Sequence, residues 1–296
     1  MNINKKTQNI ALISVLTIGI IGLMFGSFFD TQISNSIGNR DNLFGILFTA
    51  FGTMVSLTIG CFAGSALYFC EKKWSKFINI FLDVIGIAAF IILTAYEVRT
   101  SMDYASFPRM EENATTYKAL IAVLICLINL TVLLFTRRII KKIDVNTLVL
   151  TSLTMLFMIG FSSVFGELIK NLSNRARPYE VQSGSRPFTQ WYQFNFDLIF
   201  KGVEHSFVSG HAVNSACSIT LLPLLCGLFV EDKKQKVQIV AISCGILYAA
   251  IVMISRMLVD MHYLSDVSGG LVVTLLMQLI VINLIEKVIK VKKEVA

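Results

Sequence analysis

Thr147–Ile169 reads TLVLTSLTMLFMIGFSSVFGELI, 23 residues with one charged side chain, Glu167. A helix of about 20 mostly apolar residues crosses a hydrocarbon layer about 30 Å thick. This run therefore predicts a membrane-spanning helix, and it leads straight into the polar stretch Lys170-Asn-Leu-Ser-Asn-Arg-Ala-Arg177-Pro178.

Seven more runs of the same kind follow from the rest of the chain: Ile10–Phe29, Leu43–Phe69, Phe77–Ala95, Ala119–Thr136, Ala212–Val230, Val237–Ile254 and Leu264–Ile285. The fold class expected is all-α, a polytopic membrane helix bundle of about eight transmembrane helices. The second run is long enough to be tilted or broken at its glycines. Composition agrees: of 296 residues 55% are hydrophobic and only 15% charged, against about 25% charged in a soluble domain. Neither an internal repeat nor a soluble domain is visible. The first run is longer than a signal peptide's apolar region and lacks a clear small-x-small cleavage site, so it reads as an uncleaved helix.

The net charge of +7 does not point to nucleic acid, because of where the charge lies. Lys5 and Lys6, Lys72, Lys73 and Lys76, Arg137, Arg138, Lys141 and Lys142, Lys233, Lys234 and Lys236, and Lys287, Lys290, Lys292 and Lys293 occupy the N-terminus and alternate connections. The positive-inside rule puts that face in the cytoplasm. Both termini are then cytoplasmic, and the Lys170–His211 connection is extracytoplasmic. The six cysteines lie in or at the ends of apolar runs, with no disulfide framework and no CxxC metal pattern.

The outer face carries three polar constellations. In the first, Lys170 precedes Arg177-Pro178 by seven positions. If the helix continues, both cations share a face and suit a phosphate. Pro178 marks the helix end. In the second, Ser209-Gly210-His211 stands directly before an apolar run. A helix N-terminus offers free N–H groups to an anion, and a histidine there can give a proton to a leaving oxygen. In the third, Ser255-Arg256 is followed by His262 and, four positions later, Asp266. That spacing lets a carboxylate hold an imidazole in one tautomer. Read alone, the first is an ordinary basic helix end and the second a capping serine beside a surface histidine. Together they take two of the chain's three histidines and all fall on one predicted face.

These residues, Lys170-x6-Arg177-Pro178, Ser209-Gly210-His211 and Ser255-Arg256-x5-His262-x3-Asp266, resemble the three signature motifs of the type 2 phosphatidic acid phosphatase (PAP2) superfamily, in its membrane lipid phosphatase branch. One position departs from it: the family usually has proline before Ser-Gly-His, and here stands Val208. The resemblance implies that His262 attacks phosphorus and forms a phosphohistidine, that Asp266 orients it, and that His211 protonates the leaving group and later activates water. It implies further that Lys170, Arg177, Arg256, Ser209 and the Gly210 amide hold the phosphoryl oxygens, with no metal and no cofactor. Family members commonly have six membrane helices with the first motif after the third. Here that motif follows the fifth, so residues 1–76 read as an added N-terminal helix pair and residues 77–296 as the six-helix core.

The expected activity is hydrolysis of a phosphomonoester or diphosphate of a membrane lipid on the outer face of the cytoplasmic membrane. Candidate substrates are undecaprenyl diphosphate, phosphatidylglycerol phosphate, phosphatidic acid and lipid A. The alternatives are a lipid phosphotransferase using the same histidine, and a catalytically silent scaffold or transporter. Outside the motifs, Asp83 is expected to pair with Lys76 toward the cytoplasmic side, and His205 to be peripheral. The aromatic segment Phe188–Phe200 reads as an interfacial belt or as an entrance for lipid.

Overall fold

The computed structural model describes residues 5–103, 107–194, 205–230 and 234–295. Among these there is no strand. The α-helices are α1 (Lys5–Ile37), α2 (Leu43–Phe51), α3 (Met54–Phe69), α4 (Lys76–Met102), α5 (Ala114–Ile139), α6 (Val145–Ser173), α7 (Pro178–Gln182), α8 (Gly210–Phe229), α9 (Lys234–Leu258) and α10 (Leu264–Val295). Counting α2 with α3 as one interrupted span, eight helices are long and apolar enough to cross a membrane. The protein is an all-α, multi-pass membrane bundle, as its hydropathy predicts.

In lipid, helices gain little from hiding apolar surface from water, so close packing carries their association. Small residues permit it. A Cβ on Gly64 of α3 would fall 2.7 Å from the Gly86 carbonyl of α4, and one on Gly86 would fall 2.5 Å from the Gly64 carbonyl. Only paired glycines let these backbones meet. Leu57, Ala63, Met155, Ala216, Leu221 and Leu275 form a fully buried centre. Large side chains such as Phe28, Phe77 and Leu134 point outward, as a lipid-facing surface requires.

The second apolar run is broken at Gly52 and Thr53, between α2 and α3. A Cβ on Gly52 would sit 2.2 Å from the Phe48 carbonyl and 3.4 Å from the His211 ring. The break therefore lies against the second motif. The first helix runs past its apolar stretch, from Lys5 to Ile37, and lies along α10. A Cβ on Gly26 would stand 2.8 Å from the Ser265 amide, so this glycine lets α1 close on the start of α10.

Two expectations are corrected. Asp83 pairs with Lys72 in the connection before α4, not with Lys76; the connection folds back, whereas Lys76 sits at the first turn of the helix. The first motif is not one helix face. α6 stops at Ser173, Asn174 adopts a left-handed conformation (φ 46°), and Arg177 stands in extended backbone as the N-cap of α7. Pro178 opens this new helix, where its missing N–H and fixed φ are harmless.

Candidate active site

The three motifs gather at one end of the bundle, where α6, α8, α9 and α10 begin or end. The turn from α9 to α10 carries His262. Its backbone is shaped by Asp260 in the left-handed region (φ 59°) and by the Met261 amide donating to the Arg256 carbonyl at 3.3 Å. His262 is 3% exposed. Its Nδ1 lies 2.9 Å from the Ser206 carbonyl. A carbonyl only accepts, so Nδ1 carries the proton and Nε2 keeps its lone pair. Burial first, then the charges of Arg256 and Arg177, push the imidazole down to about 3, with Asp266 pulling the other way. The ring is neutral.

Asp266 lies in the first turn of α10, with its Oδ2 3.8 Å from His262 Nδ1. That is beyond hydrogen-bond length. Oδ2 instead accepts from the Tyr263 amide at 2.8 Å and from the Ser206 hydroxyl, while Oδ1 accepts from Arg175 Nη1 at 2.6 Å. The carboxylate thus holds Ser206, and the Ser206 carbonyl holds the imidazole. Sequence reading gave neither Ser206 nor Arg175 a place in the site. Both are fully buried.

Ser209 caps α8: its hydroxyl accepts from the Ala212 amide at 3.4 Å, and its own amide donates to the Asp266 backbone carbonyl at 3.1 Å. Gly210 follows as the first helical residue. Gly270 of α10 lies so close that its Cβ would fall 2.9 Å from the Ser209 carbonyl, which ties the second motif to the third. His211 Nε2 donates to the Thr49 carbonyl at 2.9 Å. The Thr49 hydroxyl accepts from Arg256 Nη1, so one residue of α2 steadies both a histidine and an arginine of the motifs.

Arg177 is 8% exposed, with Nη1 3.4 Å from the sulfur of Met261, beside His262. Its backbone amide donates to Glu180 at 2.7 Å, closing a capping box on α7. The charges of Arg177 and Arg256 both reach His262, and those of Arg256, Lys170 and His262 reach His211. All of the motif residues therefore fall in one neighbourhood.

His205 belongs there too. It is buried, its Nδ1 has no partner among the described residues, and burial, reinforced by Arg186, Lys170 and Arg177, holds its imidazole below the ordinary range. Of the aromatic segment, Phe188 packs on Tyr263 and Trp191 on Phe207, while Tyr192 and Phe194 are exposed; Phe196 and Phe200 lie outside the described residues. Among the described residues no group of three His, Cys, Asp or Glu is placed to hold a metal ion.

Residues 151–290 match the family model of the PAP2 superfamily, whereas neither a curated protein nor a solved structure gives a match. The matched stretch begins in α6 ahead of Lys170 and ends in α10 beyond Asp266, so it spans all three motifs, and the match supports membership of the PAP2 superfamily.

Proposed function

We propose that this chain is a membrane lipid phosphatase that works through a phosphohistidine, on the extracytoplasmic face of the cytoplasmic membrane. Membership of the superfamily supports phosphatase action on phosphate esters. The observation that carries the mechanism is the Nδ1–H of His262, donated to the Ser206 carbonyl. It leaves a neutral Nε2 lone pair beside Arg177 and Arg256, the arrangement an in-line attack on phosphorus requires.

The geometry supports the following steps. Nε2 of His262 bonds to phosphorus as the bond to the leaving oxygen breaks, and Arg177, Arg256, Lys170 and the N-terminal amides of α8, Gly210 among them, take the charge on the phosphoryl oxygens. Ser209 supports this cradle as the cap of α8. His211 commits its Nε2–H to Thr49, so its proton chemistry runs through Nδ1. Protonated there, it supplies a proton to the leaving oxygen; deprotonated, it takes one from water as water attacks phosphorus. The P–N bond then breaks, inorganic phosphate leaves, and His262 is restored with Nδ1–H in place.

The lipid substrate and the outer face rest on two supports. The site lies at one end of a bundle whose helices are long and apolar enough to cross a membrane, and the basic connections lie at the opposite end, which the positive-inside rule assigns to the cytoplasm. The test is phosphate release by purified protein from a panel of undecaprenyl diphosphate, phosphatidylglycerol phosphate, phosphatidic acid and lipid A, in EDTA. The wild type is expected to act on at least one and to trap a phosphoenzyme. Folded His262→Ala is expected to do neither; turnover by that variant at the wild-type rate refutes the mechanism. Transfer of label to a second lipid in place of water would identify a phosphotransferase.

A further inference from the structure

The first helix lies outside the matched stretch 151–290, yet it enters the catalytic support. Asp30 is 2% exposed. Its Oδ2 accepts from Arg175 Nη2 at 2.9 Å and from the Ser265 hydroxyl, and its Oδ1 accepts from the Ser265 amide at 3.0 Å. Arg175 is held on every edge: Nη1 donates to Asp266 at 2.6 Å and to the Ser265 hydroxyl at 2.7 Å, Nη2 to Asp30, and Nε to the Thr189 carbonyl at 2.8 Å. Its plane lies on Tyr263, 4.4 Å from the ring centre.

Resting on the phosphatase reading above, we infer that Asp30 is a positioning residue of the catalytic centre, acting through Arg175 on Asp266 and so on His262. Two arguments support it. The first is geometric. A guanidinium fork is fixed only when its donors are matched; without Asp30 one arm of Arg175 loses its anionic acceptor, and the Asp266 carboxylate loses its rigid backing.

The second argument is electrostatic. When Nε2 of His262 takes the phosphoryl group, the ring becomes positive, and Asp266 lies 3.8 Å away. Arg175 alone would neutralise that carboxylate. With Asp30 as a second anion, the buried trio carries net negative charge that favours the positive ring. Neither argument involves substrate binding, so the effect falls on kcat. The placement is built along one face of α1: Ser27 Oγ accepts from the Trp191 indole at 2.8 Å, Asp30 holds Arg175, and Ser34 donates to Asp260 at 2.8 Å.

The test uses the full chain, purified in lipid nanodiscs, with a lipid phosphate on which the wild type turns over. Asp30→Asn, nearly isosteric, is expected to lower kcat and the rate of phosphoenzyme formation together by about 10- to 100-fold, the loss that small misplacement of a reacting group produces. KM should stay within about twofold of wild type on the same reasoning. Asp30→Glu, which keeps the charge, is expected to retain more activity than Asp30→Asn. In an Arg175→Gln background the Asp30→Asn change is expected to cause little further loss. Folded Asp30→Asn with wild-type kcat, or with a loss confined to KM, overturns the inference. If Asp30→Asn does not fold, Ser265→Ala decides: it removes the hydroxyl that Arg175 and Asp30 share, and unchanged kcat there also overturns it. A wild-type protein that hydrolyses no lipid phosphate and forms no phosphoenzyme overturns the phosphatase reading itself, which active wild type with a normal Asp30→Asn leaves standing.

Discussion

Replacing Asp266 by asparagine tests the centre of the mechanism. The carboxylate is fully buried and accepts from Arg175, Ser206 and the Tyr263 amide. An amide in its place has one donor end. Turned toward Arg175 it faces a cation; turned toward Tyr263 it faces a backbone N–H that cannot reverse. Either way one buried donor loses its acceptor, although Arg175 keeps Asp30 at 2.9 Å, and the fold is expected to survive. The rate is not. Opposite unit charges 3.8 Å apart attract by about 4 kcal/mol at an effective dielectric constant of about 20. Arg175 on the far oxygen offsets part of this. A residue of about 2–3 kcal/mol on the positive phosphohistidine corresponds to roughly 30- to 160-fold in rate. The assay is single-turnover phosphoenzyme formation from a labelled lipid phosphate, with melting temperature as the control for folding. A folded Asp266→Asn protein within threefold of the wild-type rate would refute the electrostatic support of His262 and leave Asp266 a purely structural residue.

Three further outcomes are expected. Thr49→Val keeps the carbonyl that holds His211 but removes the hydroxyl that accepts from Arg256. It should weaken substrate or vanadate binding about tenfold, the worth of one hydrogen bond to a charged group, and unchanged binding would remove Thr49 from the site. Burial holds His262 well below the ordinary imidazole value of 6.5, at about 3, so the unfolded chain takes up a proton in this interval that the folded chain refuses. This group's contribution to stability is therefore full above pH 6.5 and is lost as the pH falls toward 3. Nitrogen-15 spectra of histidine-labelled protein should show the neutral Nδ1–H tautomer at His262 down to about pH 5; a ring that titrates near 6.5 contradicts the buried nucleophile. Accessibility labelling in intact cells should place Lys73 and Lys142 in the cytoplasm and Arg186 outside, and a cytoplasmic Arg186 would overturn the side assigned to the site.

How much of this was legible in the chain depends on how each residue reaches the site. His262 and Asp266, four positions apart, and the Ser209-Gly210-His211 cap are local patterns, and local geometry makes them meet whatever the rest of the bundle does. Lys170 and Arg177 were found as a pair for a partly wrong reason: the spacing suggested one helix face, while a left-handed Asn174 and a second helix beginning at Pro178 bring Arg177 round instead. The break at Gly52 was open to sequence reading as a glycine in an overlong span; that it would turn Thr49 toward His211 was not, because the two lie 162 positions apart. Asp30 shows the limit best. It stands directly after the apolar run Ile10–Phe29, so hydropathy makes it the first residue of an outer loop. The helix in fact continues to Ile37, because its outer turns have protein to pack against instead of water, and Asp30 keeps its helical place facing Arg175, 145 positions away. Hydropathy finds where lipid ends, which need not be where a helix ends. In a membrane protein whose polar site sits at that level, residues just beyond an apolar run are the ones for which the two boundaries differ, and here that difference separates a loop aspartate from one that holds Arg175 against Asp266.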